Sequence, residues 1–176
     1  MTLVLGLLLV FSVSISAQEQ IGSSAIKQKA SALKVDIVPN KRNYKRSGKI
    51  ALRVMLTNSG RDALYVLGTL EWGHNASFIL HVRDASGKEI EPKGFPDEQT
   101  YVPRDDQSAF VKLLPEHFLG TNFVSALKFL NLSRPGKYAI FVEYRTPIST
   151  SFTKLSPFWG RENGTIKSNV VWIEVL

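Results

Sequence analysis

The sequence predicts an all-β fold, a single antiparallel sandwich of seven to eight strands with at most one or two short helical turns. Three observations support this prediction. Apolar residues recur mainly with a period of two, the alternating runs are short, and turn-forming residues separate them. A chain of 176 residues is long enough for one domain with a real core and short for two.

The first predicted strands place their apolar residues on one face. These residues are Leu33, Val35 and Ile37 before the stop at Pro39, and then Ile50, Leu52, Val54 and Leu56 within residues 49–58. Such alternation is typical of antiparallel strands with one buried face. A turn cluster at 58–62 then leads into β-favouring residues at 63–70.

The later predicted strands are bounded by turn signals. They cover residues 77–84, 88–91, 107–114, 136–144 and 169–175. The tetrad 84–87, DASG, closes a hairpin, and Pro135-Gly136 sets a tight turn before the strand that carries Tyr138. In the last strand Val171, Ile173 and Val175 face inward, whereas Trp172 and Glu174 lie on the opposite side.

Two segments carry residues that favour a helix or a helical turn. Residues 115–120, PEHFLG, predict a single helical turn, with Pro115 at its start and Gly120 after its end. Residues 123–130 are ambiguous, because their apolar residues fit either a helix or a strand.

The N-terminal segment predicts export. Residues 1–17 form an uncharged apolar run ending in Ala17, typical of a signal peptide, and residues 18–31 predict a flexible leader before a domain at 32–176. The alternative is an uncleaved anchor, and only then do we expect membrane contact. The expected location is secreted or periplasmic. Because the chain has no cysteine, its core must suffice without disulfides.

The sequence carries a formal net charge of +7, part of it in Lys41-Arg42 and Lys45-Arg46. Such a cluster can meet an anionic glycan or lipid headgroup, or it is an ordinary solvated loop. We expect no nucleic-acid partner, because the chain is predicted to be exported and contains no recognisable nucleic-acid-binding motif.

Two motifs resemble those of bacterial immunoglobulin-like domains, a loose group that includes BsuPI-type proteinase inhibitors and macroglobulin-like modules. The motifs are Tyr44-x3-Gly48-x-Ile50-x-Leu52-x-Val54-x-Leu56-Thr57-Asn58-x-Gly60 and Leu132-Ser133-x-Pro135-Gly136-Lys137-Tyr138-x-Ile140-x-Val142-x-Tyr144. The resemblance covers about residues 32–176 and implies an immunoglobulin-like β-sandwich. It implies that the second motif is the corner and sixth strand, where Tyr138 buries its ring and its hydroxyl finds a backbone partner.

No catalytic or metal-binding motif is apparent in the sequence. His74, His81 and His117 lie on different predicted elements without metal-type spacing, and there is no nucleophile elbow or phosphate-binding glycine loop. We therefore expect no catalytic residues, no bound metal and no cofactor. A hydrolase built from His117 and loop carboxylates is the minority alternative.

The expected binding site is the long loop at residues 146–168, because a connection of this length tends to be functional or mobile. Its candidate binding residues are Phe152, Lys154, Phe158, Trp159 and Arg161. Aromatic rings beside cations can stack on sugars or anchor a protein. In the alternative, Phe158 and Trp159 fold back as a structural cap and Arg161 pairs with Glu162.

A second candidate loop, residues 92–107, carries Phe95 and Tyr101, with an ordered crossover between sheets as its alternative. The sequence thus predicts an exported, non-enzymatic domain that binds a protein or glycan of the cell envelope, anionic ligands included, through its long loops. The alternative function is inhibition of a secreted protease, in which an extended loop lies in the enzyme's cleft.

Overall fold

The computed structural model describes residues 32–94 and 106–176. The predicted signal peptide and leader lie outside these residues, as do Phe95 and Tyr101 of the second loop. The strands are β1 (Leu33–Pro39), β2 (Asn43–Tyr44), β3 (Lys49–Asn58), β4 (Leu64–Leu67), β5 (Phe78–Asp84), β6 (Phe110–Leu113), β7 (Phe118–Ala126), β8 (Gly136–Tyr144), β9 (Ile166–Lys167) and β10 (Val171–Val175).

The strands form an all-β sandwich, which confirms the predicted fold class. β1, β3 and β7 make one antiparallel sheet, and β2, β10, β8 and β5 make the other, in that order, with β9 also pairing with β8. β4 and β6 form a separate two-stranded ladder. Eight of these strands have four residues or more, within the predicted seven to eight. They include β7, which was not predicted as a strand, whereas the predicted strand at 88–91 is reduced to an isolated bridge between Arg83 and Glu89. Three single 3-10 turns complete the described elements: Gln107–Ala109, Thr150–Phe152 and Arg161–Asn163.

The core lies between the two larger sheets and is built from the predicted alternation. Ile50, Leu52, Val54 and Leu56 of β3 are fully buried, and they pack in one cluster with inward residues of β8 such as Ile140. The alternate residues of each strand lie on its other face, and on β8 these include the buried Ala139 and Phe141. In the part of the chain that the structure describes, no helix is long and apolar enough to cross a membrane.

The corner before β8 has the geometry expected from the sequence. Gly136 has a φ of 153°, which residues with a Cβ rarely adopt. Two residues later the buried ring of Tyr138 turns back, and its hydroxyl donates a hydrogen bond to the carbonyl of Arg134 at 2.8 Å. The predicted backbone partner of Tyr138 is therefore confirmed.

The predicted helical turn at residues 115–120 is wrong, because this segment leads directly into β7. The Glu116 N–H donates to the Asn58 carbonyl at 2.8 Å, and from Phe118 onward β7 pairs with β3 along nine residues. These cross-strand hydrogen bonds outweigh the local helical signals. The ambiguous segment 123–130 is a strand as far as Ala126 and a turn after it.

Two residues between β9 and β10, Ser168 and Asn169, connect the two sheets by hydrogen bonds. Ser168 interrupts the ladder by accepting a hydrogen bond from the Val142 N–H on its hydroxyl oxygen, at 2.9 Å. The next side chain, Asn169, accepts from the Ile37 N–H at 2.8 Å and donates to the Ile37 carbonyl at 3.1 Å. This amide clamps the edge of β1 and leaves Val170 exposed beside β8.

Candidate functional site

The loop at residues 146–168 is anchored by its aromatic residues. Phe158 is only 7% exposed and packs edge-on against Phe110, with ring centroids 5.0 Å apart. Its neighbours are held to β4, since the Tyr65 N–H donates to the Pro157 carbonyl at 2.8 Å and the Trp159 N–H donates to the Tyr65 carbonyl at 2.9 Å. The ring of Phe158 therefore stabilises the loop from inside.

The structure places the five residues of the predicted binding site in different surroundings. Phe152 packs partly buried against the small cluster around Phe158, and Trp159 packs partly buried against the main core. Lys154 and Arg161 are exposed. The positions of Phe158 and Trp159 match the structural cap that the sequence leaves open as the alternative.

Glu162 links two parts of the 146–168 loop by a hydrogen bond. Its carboxylate accepts a hydrogen bond from the Thr150 N–H at 2.8 Å. Hydrogen bonds from the Ser149 hydroxyl and from this N–H lower the pKa of Glu162 to about 2. The carboxylate thus serves the fold of the loop, in place of the ion pair with Arg161 that the alternative included.

A groove on the outer face of the second sheet has the features of a binding site. The strand register places Trp172 of β10 opposite Ala139 of β8, and Ala139 opposite Arg83 of β5. Trp172 is 55% exposed, an unusual state for the largest apolar side chain. Because Ala139 is small, a depression separates the indole from Arg83.

This groove has a volume of about 530 Å³. Ala139 and Phe141 lie in its middle, between the hairpin turn at 84–87 on one side and Trp172 with Lys167, Ser168 and Val170 on the other. The His81 ring stacks on the ring of Phe141, with the two centroids 4.6 Å apart and an interplanar angle of 4°.

Each cation of the groove lies beside a carboxylate. The Arg83 guanidinium lies 5.0 Å from the centroid of the Phe141 ring, and its Nε donates to Glu89 at 3.0 Å. Burial raises the pKa of Glu89, but hydrogen bonds from His81 and Arg83 outweigh it, so that the pKa lies below its ordinary value. Across the groove, Lys167 Nζ lies 3.2 Å from Glu143. Both ion pairs are solvent-exposed, so they restrain the two cations only weakly.

Asp84 supplies an acceptor at the hairpin wall. Its Oδ1 accepts hydrogen bonds from the N–H and hydroxyl of Ser86, at 2.9 and 2.6 Å, and from the Lys88 N–H at 3.0 Å. The Ser86 hydroxyl is the main cause that lowers the pKa of Asp84. These bonds all use Oδ1, so Oδ2 can accept a hydrogen bond from a ligand.

The groove can bind a molecule that is apolar on one face and polar at its edges. The indole of Trp172 offers a flat apolar surface, Arg83 and Lys167 offer donors, and Asp84 offers an acceptor. Within residues 32–94 and 106–176, no group of three or more histidine, cysteine or acidic side chains could hold a metal ion.

Sequence reasoning missed this groove although it predicted part of its geometry. The alternation of the last strand places Trp172 opposite the buried residues, and the alternation of β5 places Arg83 on its polar face. An outward tryptophan among buried neighbours was the available signal. The strand register, which brings both side chains to Ala139, is not visible in the sequence.

Comparisons with known proteins identify no relative. No protein-family model and no curated protein sequence match the chain. Among solved structures, a β-glucosidase from Erythrobacter marinus is 12% identical over 82% of this chain, with a TM-score of 0.39, and the chain spans 15% of that enzyme. A CARDB domain from Pyrococcus furiosus is 12% identical over 82% of this chain and 94% of that domain, with a TM-score of 0.37.

A sporulation control protein from Bacillus subtilis is 14% identical over 82% of this chain and 49% of that protein, with a TM-score of 0.41. All three TM-scores lie below 0.5, so these likenesses assign the chain neither a family nor a function.

Proposed function

We propose that this protein is an exported, non-enzymatic binding domain that recognises a glycan in the groove between Trp172 and the hairpin turn at residues 84–87. The observation that carries the proposal is the exposed indole of Trp172 beside the small residue Ala139, in a groove of about 530 Å³. Export rests on the apolar segment at residues 1–17.

The chemistry of a sugar ring fits the groove. A pyranose presents C–H groups on its faces and hydroxyl groups at its edges, and a hydroxyl both donates and accepts hydrogen bonds. Trp172 covers the C–H face, Asp84 Oδ2 accepts from a hydroxyl, and Arg83 donates to another. Covering about 100 Å² of apolar surface contributes roughly 2.5 kcal/mol before the costs of association.

The groove supports glycan recognition better than the aromatic residues of the 146–168 loop do. Phe158 is buried and already packed against Phe110, so its ring has no free face for a sugar. The loop still contributes Lys167 to the groove wall. Recognition thus combines the sheet face with the end of the loop that the sequence singles out.

The test is affinity gel electrophoresis of the purified protein in gels that contain chitin fragments, β-glucan, galactan, peptidoglycan fragments or heparin. We expect retardation by at least one of these glycans, and its loss in the Trp172→Ala variant. The matched control is Phe118→Ala, because Phe118 is 62% exposed on β7 of the opposite sheet. Equal retardation of Trp172→Ala and wild type contradicts the proposal, as does no retardation in any gel.

Inhibition of a secreted protease stays a prediction of the sequence. Assays of the purified protein against a panel of secreted serine and metalloproteases test it, and stoichiometric inhibition in any of them would favour it over glycan binding.

A further inference from the structure

A second concave surface lies near the loop at residues 146–168. It is a cleft of about 340 Å³, lined by Asn75, Arg145, Thr146, Arg161 and Thr165 among others. Its lining includes two arginines and no carboxylate. A cleft with this composition concentrates positive potential and favours an anionic ligand.

The two arginines are placed by the backbone around them. The Arg145 N–H donates to the Ser77 carbonyl at 2.9 Å, and its guanidinium donates to the His74 carbonyl. The Arg161 N–H donates to the Ile148 carbonyl at 2.7 Å. Hydrogen bonds to main-chain carbonyls thus hold the main chain at both arginines, and they hold the guanidinium at Arg145.

No carboxylate of the described residues competes for these cations. The ion pairs in residues 32–94 and 106–176 involve neither Arg145 nor Arg161. Glu162, which is adjacent in sequence, accepts a hydrogen bond from the Thr150 N–H and takes part in none of these ion pairs. Guanidinium groups bind carboxylate, sulfate and phosphate through paired hydrogen bonds, so the cleft is suited to such a group.

A row of side chains on the outer face of β8 leads from the groove towards the cleft. Ala139, Phe141 and Glu143 alternate along the outer face of β8, and Arg145 continues this row one step beyond the strand. Six residues of extended chain span about 20 Å. A polymer that leaves the groove along β8 passes the pair of Glu143 and Lys167 and reaches the two arginines.

We infer that the ligand is an acidic glycan, and that one of its anionic groups occupies the cleft between Arg145 and Arg161 while a sugar ring stacks on Trp172. This inference rests on the proposed function and adds the charge of the ligand and a second contact site.

The experiment measures Kd for heparin and for desulfated, carboxyl-reduced heparin, which keeps the sugar backbone without its charges. The variants are Arg145→Gln/Arg161→Gln, Trp172→Ala and a control, Lys49→Gln/Arg53→Gln. The control removes the same charge from exposed positions of β3 on the opposite sheet, so it corrects for general attraction by the net charge of +7.

We expect the arginine double variant to bind heparin at least tenfold more weakly than wild type, and the control variant less than threefold more weakly. Binding of the uncharged polymer stays within twofold in both. Arg161→Gln alone weakens heparin binding at least threefold. Because it alters an exposed side chain, it tests the inference even if the double variant does not fold.

The inference is overturned if the arginine double variant and the control variant bind heparin with equal Kd. The Kd values of Trp172→Ala then test the proposed function separately. If the arginine variant loses heparin while Trp172→Ala binds both polymers like wild type, the groove is not a glycan site. The cleft is then only an anion site, and the inference falls with the proposed function. If the wild-type protein binds neither heparin nor the uncharged polymer, the inference is also overturned.

Discussion

The hydroxyl of Tyr138 donates a hydrogen bond to the carbonyl of Arg134 across the corner that opens β8, at a distance of 2.8 Å. This bond fixes the chain just before Ala139 and Phe141, which line the groove. The corner therefore links the fold of the sandwich to the position of its candidate binding surface.

We expect Tyr→Phe substitutions at Tyr138 and Tyr144, both in β8, to change the free energy of unfolding in opposite directions. Tyr138→Phe removes the bond to Arg134 and lowers the free energy of unfolding by about 1 kcal/mol. The Tyr144 hydroxyl is buried without a hydrogen-bond partner among the described residues, and burial raises the pKa of Tyr144. Tyr144→Phe therefore raises the free energy of unfolding by about 1 kcal/mol.

Urea unfolding of both variants checks this prediction. Each serves as the control for the other, because each loses only one oxygen from β8. Changes of the same sign in the two variants would contradict the assignment.

The anchoring role of Phe158 predicts a large loss of stability on truncation. Phe158→Ala removes the contact with Phe110 and lowers the free energy of unfolding by about 3 kcal/mol. Lys154→Ala, at an exposed position of the same loop, changes it by less than about 0.5 kcal/mol. Thermal melts followed by circular dichroism measure both. Equal stability of the two variants would show that the loop is not held by its aromatic residue.

Glu162 predicts a change in the loop at low pH. Its folded-state pKa of about 2 lies below the ordinary value of 4.5, so its contribution to stability is fully present above about pH 4.5 and is lost as the pH falls towards 2. The amide NMR signal of Thr150, which donates to this carboxylate, should titrate with a midpoint near 2. In Glu162→Gln the same signal should stay flat. A midpoint near 4.5 would show that the carboxylate is not held.

The alternation of apolar residues predicted most of the sandwich. Burial of Ile50 and Ile140 and the outward position of Trp172 follow from period-two patterns, because a strand turns successive side chains to opposite faces. The segment before β7 was predicted wrongly, since its conformation is decided by pairing with β3, a partner distant in sequence. Local signals at Pro115 and Gly120 carry no information about such a partner.

The groove, unlike the fold, was not predicted from the sequence, for a related reason. Composition drew attention to Phe158 and Trp159, but their burial depends on how the loop packs against β4 and the core. The groove depends on the register that aligns Trp172, Ala139 and Arg83 across three strands. The apolar alternation excludes a shift of one residue, because that shift would expose the buried face. It does not specify which strands are neighbours, and it allows a shift of two residues, which would keep each side chain on its face but separate Trp172 and Arg83 from Ala139.

The most direct test of the groove follows the indole N–H signals of the three tryptophans by NMR while glycans of the electrophoresis panel are added to 15N-labelled protein. The Trp172→Ala variant assigns the signal of Trp172 by its loss. We predict that this signal shifts with at least one glycan, while the signals of the buried Trp72 and the partly buried Trp159 stay in place. A Trp172 signal that does not move with any glycan of the panel would contradict the account.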